Sequence, residues 1–302
     1  MENKEIDPQQ IQFEPKNTET EHQQIQSTEQ IVPIIENMSF LENPLNELEK
    51  APSAIVSYKT RCCELRCCIP ISCCLTCVCD CGDTYKYTTY THINEKKTLL
   101  FINLARINCS LFTTDKFCRF DNCKSLSLAS KEQYEKNVGE VISEMVKESE
   151  CSCFGLFSTY LNVNISTENR MAGIVQFRGC CSFCYKGTCC CCYLCKLCIN
   201  GCYDYYYCCD ILLPNKSLVY TIYARKCCLN CIPLDCCGNV RFSIKNASKK
   251  EVGIIKAKRN CCSICGICGN KCTYTIIFPP DANLDLKLTI IKAVIAIDLF
   301  YF

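Results

Sequence analysis

The last thirty residues, Thr273 to Phe302, constrain this chain more than any other stretch. TYTIIFPPDANLDLKLTIIKAVIAIDLFYF is its only long apolar run, and it holds no cysteine. Read as a helix, Leu284 to Phe302 would be roughly 28 Å long, close to the ~30 Å hydrocarbon core of a bilayer. The same stretch carries Asp285, Lys287, Lys292 and Asp298. Each charge costs roughly 2.5–3.5 kcal/mol at mid-membrane and less near an end, against roughly 0.3–0.6 gained per Leu, Ile, Val or Phe. Gains and costs come out about even, so a membrane span is one reading. A second starts from Asp285, Thr289, Lys292 and Ala296, which recur at helical spacing. They make one narrow polar-or-small stripe, suited to a helix inside a protein that meets a few polar partners. The β-branched run Ile290, Ile291, Val294, Ile295 and Ile297 leaves a strand open as well.

The rest of the chain is crowded with cysteine, thirty-six in 302 residues. A secreted disulfide scaffold is the first idea for such a count. Against it, the N-terminus MENKEIDPQQ has neither a basic n-region nor an apolar h-region. Many cysteines also stand in adjacent pairs or runs, which is poor geometry for ordered bridges. They read as reduced, lipidated or metal-bound thiols in a cytosolic or membrane-facing protein. Net charge is +2, yet residues 1–50 hold eleven acidic and three basic residues, which leaves the remainder at +10. A basic body suits an anionic membrane or nucleic acid, or is simply a basic soluble surface.

Residues 1–50 lack cysteine and glycine and are rich in Gln and Glu. They read as a disordered acidic tail with a short sticky segment at Ile31 to Leu45. No glycine follows Met1, which excludes N-myristoylation. A single domain is expected over residues 51–302. Its first cysteine patch spans residues 62–81, and Tyr85 to Arg106 follows as a β-hairpin with a polar turn at His92 to Lys97. Ser130 to Glu150 reads as an amphipathic helix: Ser130 and Gln133 form a capping box, and Tyr134, Val138, Val141, Ile142, Met145 and Val146 share a face. Leu161 to Cys181 is another hairpin. The hairpin from Tyr203 echoes the first, down to the closing Ala-Arg pairs at Ala105-Arg106 and Ala224-Arg225, and the one from Phe242 echoes the second. A duplicated all-β unit with one helical insertion near 130–150 accounts for this, as a barrel or sandwich.

Five features in order resemble the phospholipid scramblase family: CCCC at Cys189 to Cys192, LDCCGNVRFSIK at Leu234 to Lys245, KEVGIIKAK from Lys250, IIFPPDANLDLK at Ile276 to Lys287, and the closing KAVIAIDLFYF. The likeness covers Gly179 to Phe302 well and Tyr85 to Cys181 weakly. It implies a mainly β, tubby-like fold: an antiparallel barrel of about twelve strands around a hydrophobic C-terminal helix, built from two repeated halves. It also implies ATP-independent movement of phospholipids between leaflets, at the cytosolic face of the plasma membrane and its anionic lipids. A non-transporting lipid-binding or adaptor protein is the alternative.

By the same resemblance, Cys189, Cys190, Cys191 and Cys192 correspond to an S-palmitoylation cluster. Each acyl chain adds ~0.8 kcal/mol per buried methylene, and two chains anchor stably where one does not. A rival reading uses Cys192, Cys195, Cys198 and Cys202, with Cys262, Cys265, Cys268 and Cys272 as a second copy. Their C-x2-C-x2-C-x3-C spacing ligates iron–sulfur clusters elsewhere, although the usual following proline is missing; CxxC pairs also suit structural zinc. The family's calcium loop would run from Asn270 to Asp281, NKCTYTIIFPPD. With Asp281 as the one carboxylate and Asn270 a neutral oxygen, it is degraded, and a strand entering the last helix is the competing expectation. No cofactor is otherwise called for. His22 and His92 are the only histidines, and no catalytic set or phosphate loop assembles, so no enzyme is expected. KNASKK and KAKR are too short to argue for nucleic acid.

Overall fold

A computed structural model describes residues 39–40, 43–59, 83–93, 96–108, 119–148, 159–177, 205–225, 239–259 and 271–301. Its elements run β1 (Ser39–Phe40), α1 (Pro44–Lys50), β2 (Ser53–Lys59), β3 (Asp83–Ile93), β4 (Lys96–Ile107), β5 (Phe120–Ser127), α2 (Lys131–Lys136) and β6 (Glu140–Lys147). Then come β7 (Thr159–Ile165), β8 (Arg170–Phe177), β9 (Tyr205–Leu212), β10 (Leu218–Arg225), β11 (Asn239–Asn246), β12 (Glu251–Arg259), β13 (Lys271–Ile277) and α3 (Leu284–Tyr301).

From β2 to β13 every strand pairs antiparallel with its neighbours in the chain, and β13 returns to β2, with Lys271 opposite Lys59 and Ile277 opposite Ser53. The result is a closed up-and-down barrel of twelve strands, with β1 laid parallel on β4 over two residues. Closure satisfies both edges of the sheet. Side chains alternate as the pleat requires: Leu161, Val163 and Ile165 of β7 are buried in the bore while Tyr160, Asn162 and Asn164 are only partly covered.

The bore is filled by α3. Asn283 caps it, its side-chain oxygen accepting from the Leu286 amide at 3.0 Å. Every residue from Leu286 to Phe300 is buried, so the helix has no solvent face. This decides the reading of the C-terminal run in favour of a core helix; among the described residues no helix is long and apolar enough to cross a membrane. The helix comes close to β8, where Gly173 makes room: a Cβ there would stand 2.6 Å from Thr289 Oγ1 and 3.0 Å from the Leu212 carbonyl.

The halves are β2–β7 and β8–β13, six strands each. Hairpin β3–β4 holds the place that β9–β10 holds in the second half, as the sequence echo suggests. The second echo, between β7–β8 and β11–β12, joins hairpins that are not equivalent; β5–β6 is the counterpart of β11–β12. Between β5 and β6 sits α2, where the second half has only residues 247–250.

Two further expectations need correction. The helix over 130–150 is confined to Lys131–Lys136; Asn137 turns left-handed at φ 53° and caps it, and Glu140–Lys147 is strand β6. Met145 lines the bore as part of that strand. The folded unit also begins at Ser39 rather than residue 51. Asn43 and Pro44 start α1, which buries Leu45 and Leu48, and Lys287 of α3 donates to the carbonyls of Glu49 at 2.6 Å and Ala51 at 2.8 Å. A cation thus satisfies the C-terminal carbonyls that α1 would leave bare.

Candidate functional site

Strand direction divides the barrel into two chemically different rims. Odd strands from β3 to β13 end at one rim, where even strands begin. The residues joining strands there, 94–95, 128–139, 166–169, 213–217 and 247–250, and residues 278–283 before α3, include no cysteine. At the opposite rim the joining residues are 60–82, 108–119, 148–158, 178–204, 226–238 and 260–270, and they contain thirty-two of the thirty-six cysteines. Cys189 to Cys192 fall in 178–204, outside the described residues; the strand ends that bracket them are Phe177 and Tyr205. Cys195, Cys198, Cys202, Cys262, Cys265, Cys268 and Asn270 also lie outside the described residues.

The four remaining cysteines, Cys123, Cys208, Cys209 and Cys272, are buried thiols. Burial pushes the Cys123 and Cys209 thiols up and Cys208 up to about 12. They are packing groups rather than nucleophiles. Cys272 stands in β13 beside Tyr274 and Ile276 among the core side chains. Among the described residues no three His, Cys, Asp or Glu side chains come together as a metal site.

Inside the bore the charges of α3 find partners one by one. Lys292, fully buried, donates to the Cys123 carbonyl at 2.8 Å and stands 3.7 Å from its sulfur. Burial lowers its pKa, and the Cys123 thiol opposes that. Asp298 accepts from Tyr87 Oη at 2.8 Å and also from Tyr274 Oη. Burial first, then Asp298, holds the Tyr87 hydroxyl well above its ordinary value. Tyr58 stacks on Tyr87 with centroids 4.8 Å apart. Near the other end, Asp285 pairs with Arg170 at 2.5 Å. A polar row also crosses four strands of the inner wall. Asn103 donates to Thr89 at 2.7 Å, Ser125 to Asn103 at 2.6 Å and Ser143 to Ser125 at 3.1 Å, all fully buried.

These partners, Tyr87, Tyr274, Arg170 and the Thr89–Ser143 row, carry no local motif. The charges on α3 signalled that Tyr87, Tyr274 and Arg170 or groups like them must exist; nothing signalled the Thr89–Ser143 row. The gap among Phe242, Ile255, Tyr274, Val294 and Ile297, between helix and wall, does not admit a water. Phe300 closes the cysteine rim edge-on against Phe120 at 5.5 Å and Phe177 at 5.6 Å.

The segment proposed as a calcium loop is a strand over Lys271–Ile277 and a turn at residues 280–281. Lys271–Ile277 is paired on both sides, Cys272 opposite Arg259 on β12 and Tyr58 on β2. Asp281 lies in the turn before α3 and accepts from Tyr220 Oη at 2.9 Å. It does not cap the helix, a role that belongs to Asn283.

Comparison with known proteins returns no matching family model, curated protein or solved structure.

Proposed function

We propose that this protein is held at the cytosolic face of a membrane, the plasma membrane by resemblance, through acylated cysteines, and acts there on phospholipids in the manner of the scramblases its sequence resembles. One observation supports the anchoring half of the reading: the strand ends that bracket thirty-two of the cysteines all lie at a single rim of the barrel. Acyl chains on several of them, Cys189 to Cys192 above all, would enter one leaflet together, as two-signal anchoring requires. The helix that balances on the edge of membrane insertion is committed to the bore, so attachment falls to the cysteines. Calcium has little part in this reading, because Asp281, in the turn before α3, is the one carboxylate of the segment and is already bonded to Tyr220.

The filled bore favours a second reading, a lipid-binding or adaptor module that moves no lipid. A headgroup crossing the bilayer needs a polar path, and among the described residues the bore is occupied by α3, buried from Leu286 to Phe300. Purified protein reconstituted in vesicles, with fluorescent lipid quenched from one leaflet only, separates the two. Loss of protected fluorescence beyond that of protein-free vesicles supports scrambling; an unchanged protected fraction at full incorporation supports the adaptor.

A further inference from the structure

The charges of the strands are not spread evenly around the barrel. Five consecutive strands, β10 to β13 and then β2, contain eight Lys or Arg and one acidic residue, Glu251; the other seven, β3 to β9, contain seven basic and five acidic. Glu251 is engaged by Arg241 at 2.6 Å and by the Ser243 hydroxyl. On β12, Lys256 and Lys258 are exposed and alternate with the buried Ile255 and Ala257, so both face outward. Neither has an ion-pair partner among the described residues. The register adds to this: Lys258 lies opposite Asn239 of β11 and Thr273 of β13, neither of them acidic.

Position supplies the second half. β10 ends at Arg225, β12 at Arg259 and β2 at Lys59, while β13 begins at Lys271. All four ends belong to the rim where the cysteine-bearing residues join the strands. The basic strand ends and the strand ends that bracket the cysteine-bearing residues therefore share one rim.

We propose that the outer face of β10–β13 and β2 lies against an anionic lipid surface, so that the barrel rests on its cysteine rim tilted toward these five strands. Charge complementarity selects the occupant: each Lys or Arg near an anionic leaflet adds attraction that one acyl chain alone lacks. Phosphatidylserine-type headgroups, spread in a plane, match the outward pair Lys256 and Lys258 on β12. The proposal refines the membrane-attachment reading above and rests on it.

The test uses the full-length chain produced in bacteria, without acyl chains, so that failure of the acylation reading leaves it untouched. Co-sedimentation is measured with vesicles of phosphatidylcholine, with and without phosphatidylserine. Lys256→Glu/Lys258→Glu is compared with Lys131→Glu/Lys250→Glu, which changes net charge equally at the opposite rim. Both variants are checked for an unchanged melting temperature. Binding to serine-containing vesicles is expected to fall at least about tenfold in the first variant and less than about twofold in the second. Binding that ignores the anionic lipid, or equal loss in both variants, overturns the proposal. So does a face that binds RNA with the same lysine dependence and does not bind vesicles.

Discussion

Tyr87 of β3 and Asp298 of α3, 211 positions apart in the chain, meet at 2.8 Å inside the barrel. Tyr274 of β13 donates to the other oxygen of the same carboxylate. One acidic side chain thus fixes the last turn of the helix to two strands. Replacing Asp298 by Ala leaves two buried hydroxyls without an acceptor, and each such group costs roughly 1–3 kcal/mol. A loss of about 2–4 kcal/mol in urea unfolding is expected. In a Tyr87→Phe/Tyr274→Phe background the same replacement should cost less than half as much, because no hydroxyl is orphaned. Equal costs in the two backgrounds would mean that Asp298 does not hold the helix.

Gly173 tests the closeness of helix and wall. A methyl group there meets Thr289 Oγ1 at 2.6 Å and the Leu212 carbonyl at 3.0 Å. Gly173→Ala should destabilise by about 1–3 kcal/mol through overpacking. Adding Thr289→Ala relieves the first clash but not the backbone one, so rescue should be partial. A neutral Gly173→Ala in thermal melts would contradict the observed approach.

Stability should fall on the alkaline side. Cys123, Cys208 and Cys209 keep their protons in the folded state beyond the ordinary thiol range, Cys208 up to about 12. Above about pH 9 the unfolded chain releases these protons while the folded chain retains them, so stability declines as pH rises. Lys287 and Lys292, lowered by burial, act in the opposite sense: the unfolded state holds more protons below the ordinary lysine value, and stability rises with pH there. In reducing buffer, Cys208→Ala/Cys209→Ala should lose less melting temperature between pH 8 and pH 11 than the unaltered chain. Identical slopes would place the alkaline sensitivity elsewhere.

Much of the barrel was legible in the sequence because period-two patterning, aromatic runs and turn residues coincide. The hairpins at Tyr85 to Arg106 and Leu161 to Cys181 correspond to β3–β4 and β7–β8. Strand β6 was hidden for a physical reason. Its core position Ser143 is polar, fully buried and bonded to Ser125, while Val141 and Val146 are only partly buried. The apolar residues of 138–146 therefore mimic a helical face. Asn137 and Gly139 carried the stop signal. On α3 the buried charges called for polar partners, but Tyr87 meets Asp298 and Arg170 meets Asp285 through closure of the barrel, which no local pattern encodes.

Calcium affinity should be no tighter than about millimolar, the weak end of known sites, since ligand charge count sets affinity. Asp281 is already bonded to Tyr220, and Cys272 is buried in the wall. Isothermal titration of the full chain should show no micromolar binding, and Asp281→Ala should not change the trace. A micromolar site lost in that variant would restore the calcium loop.

The most direct measurement of the central claim, that the C-terminal helix is the barrel's core and the cysteines are its membrane attachment, is extraction of the membrane-bound protein with hydroxylamine. High salt is included to screen residual attraction of the lysines. Thioester cleavage is expected to release the chain into the soluble fraction with its β-rich circular dichroism intact. A chain that stays in the membrane once its thioesters are gone would contradict the account and return Leu284–Tyr301 to the bilayer.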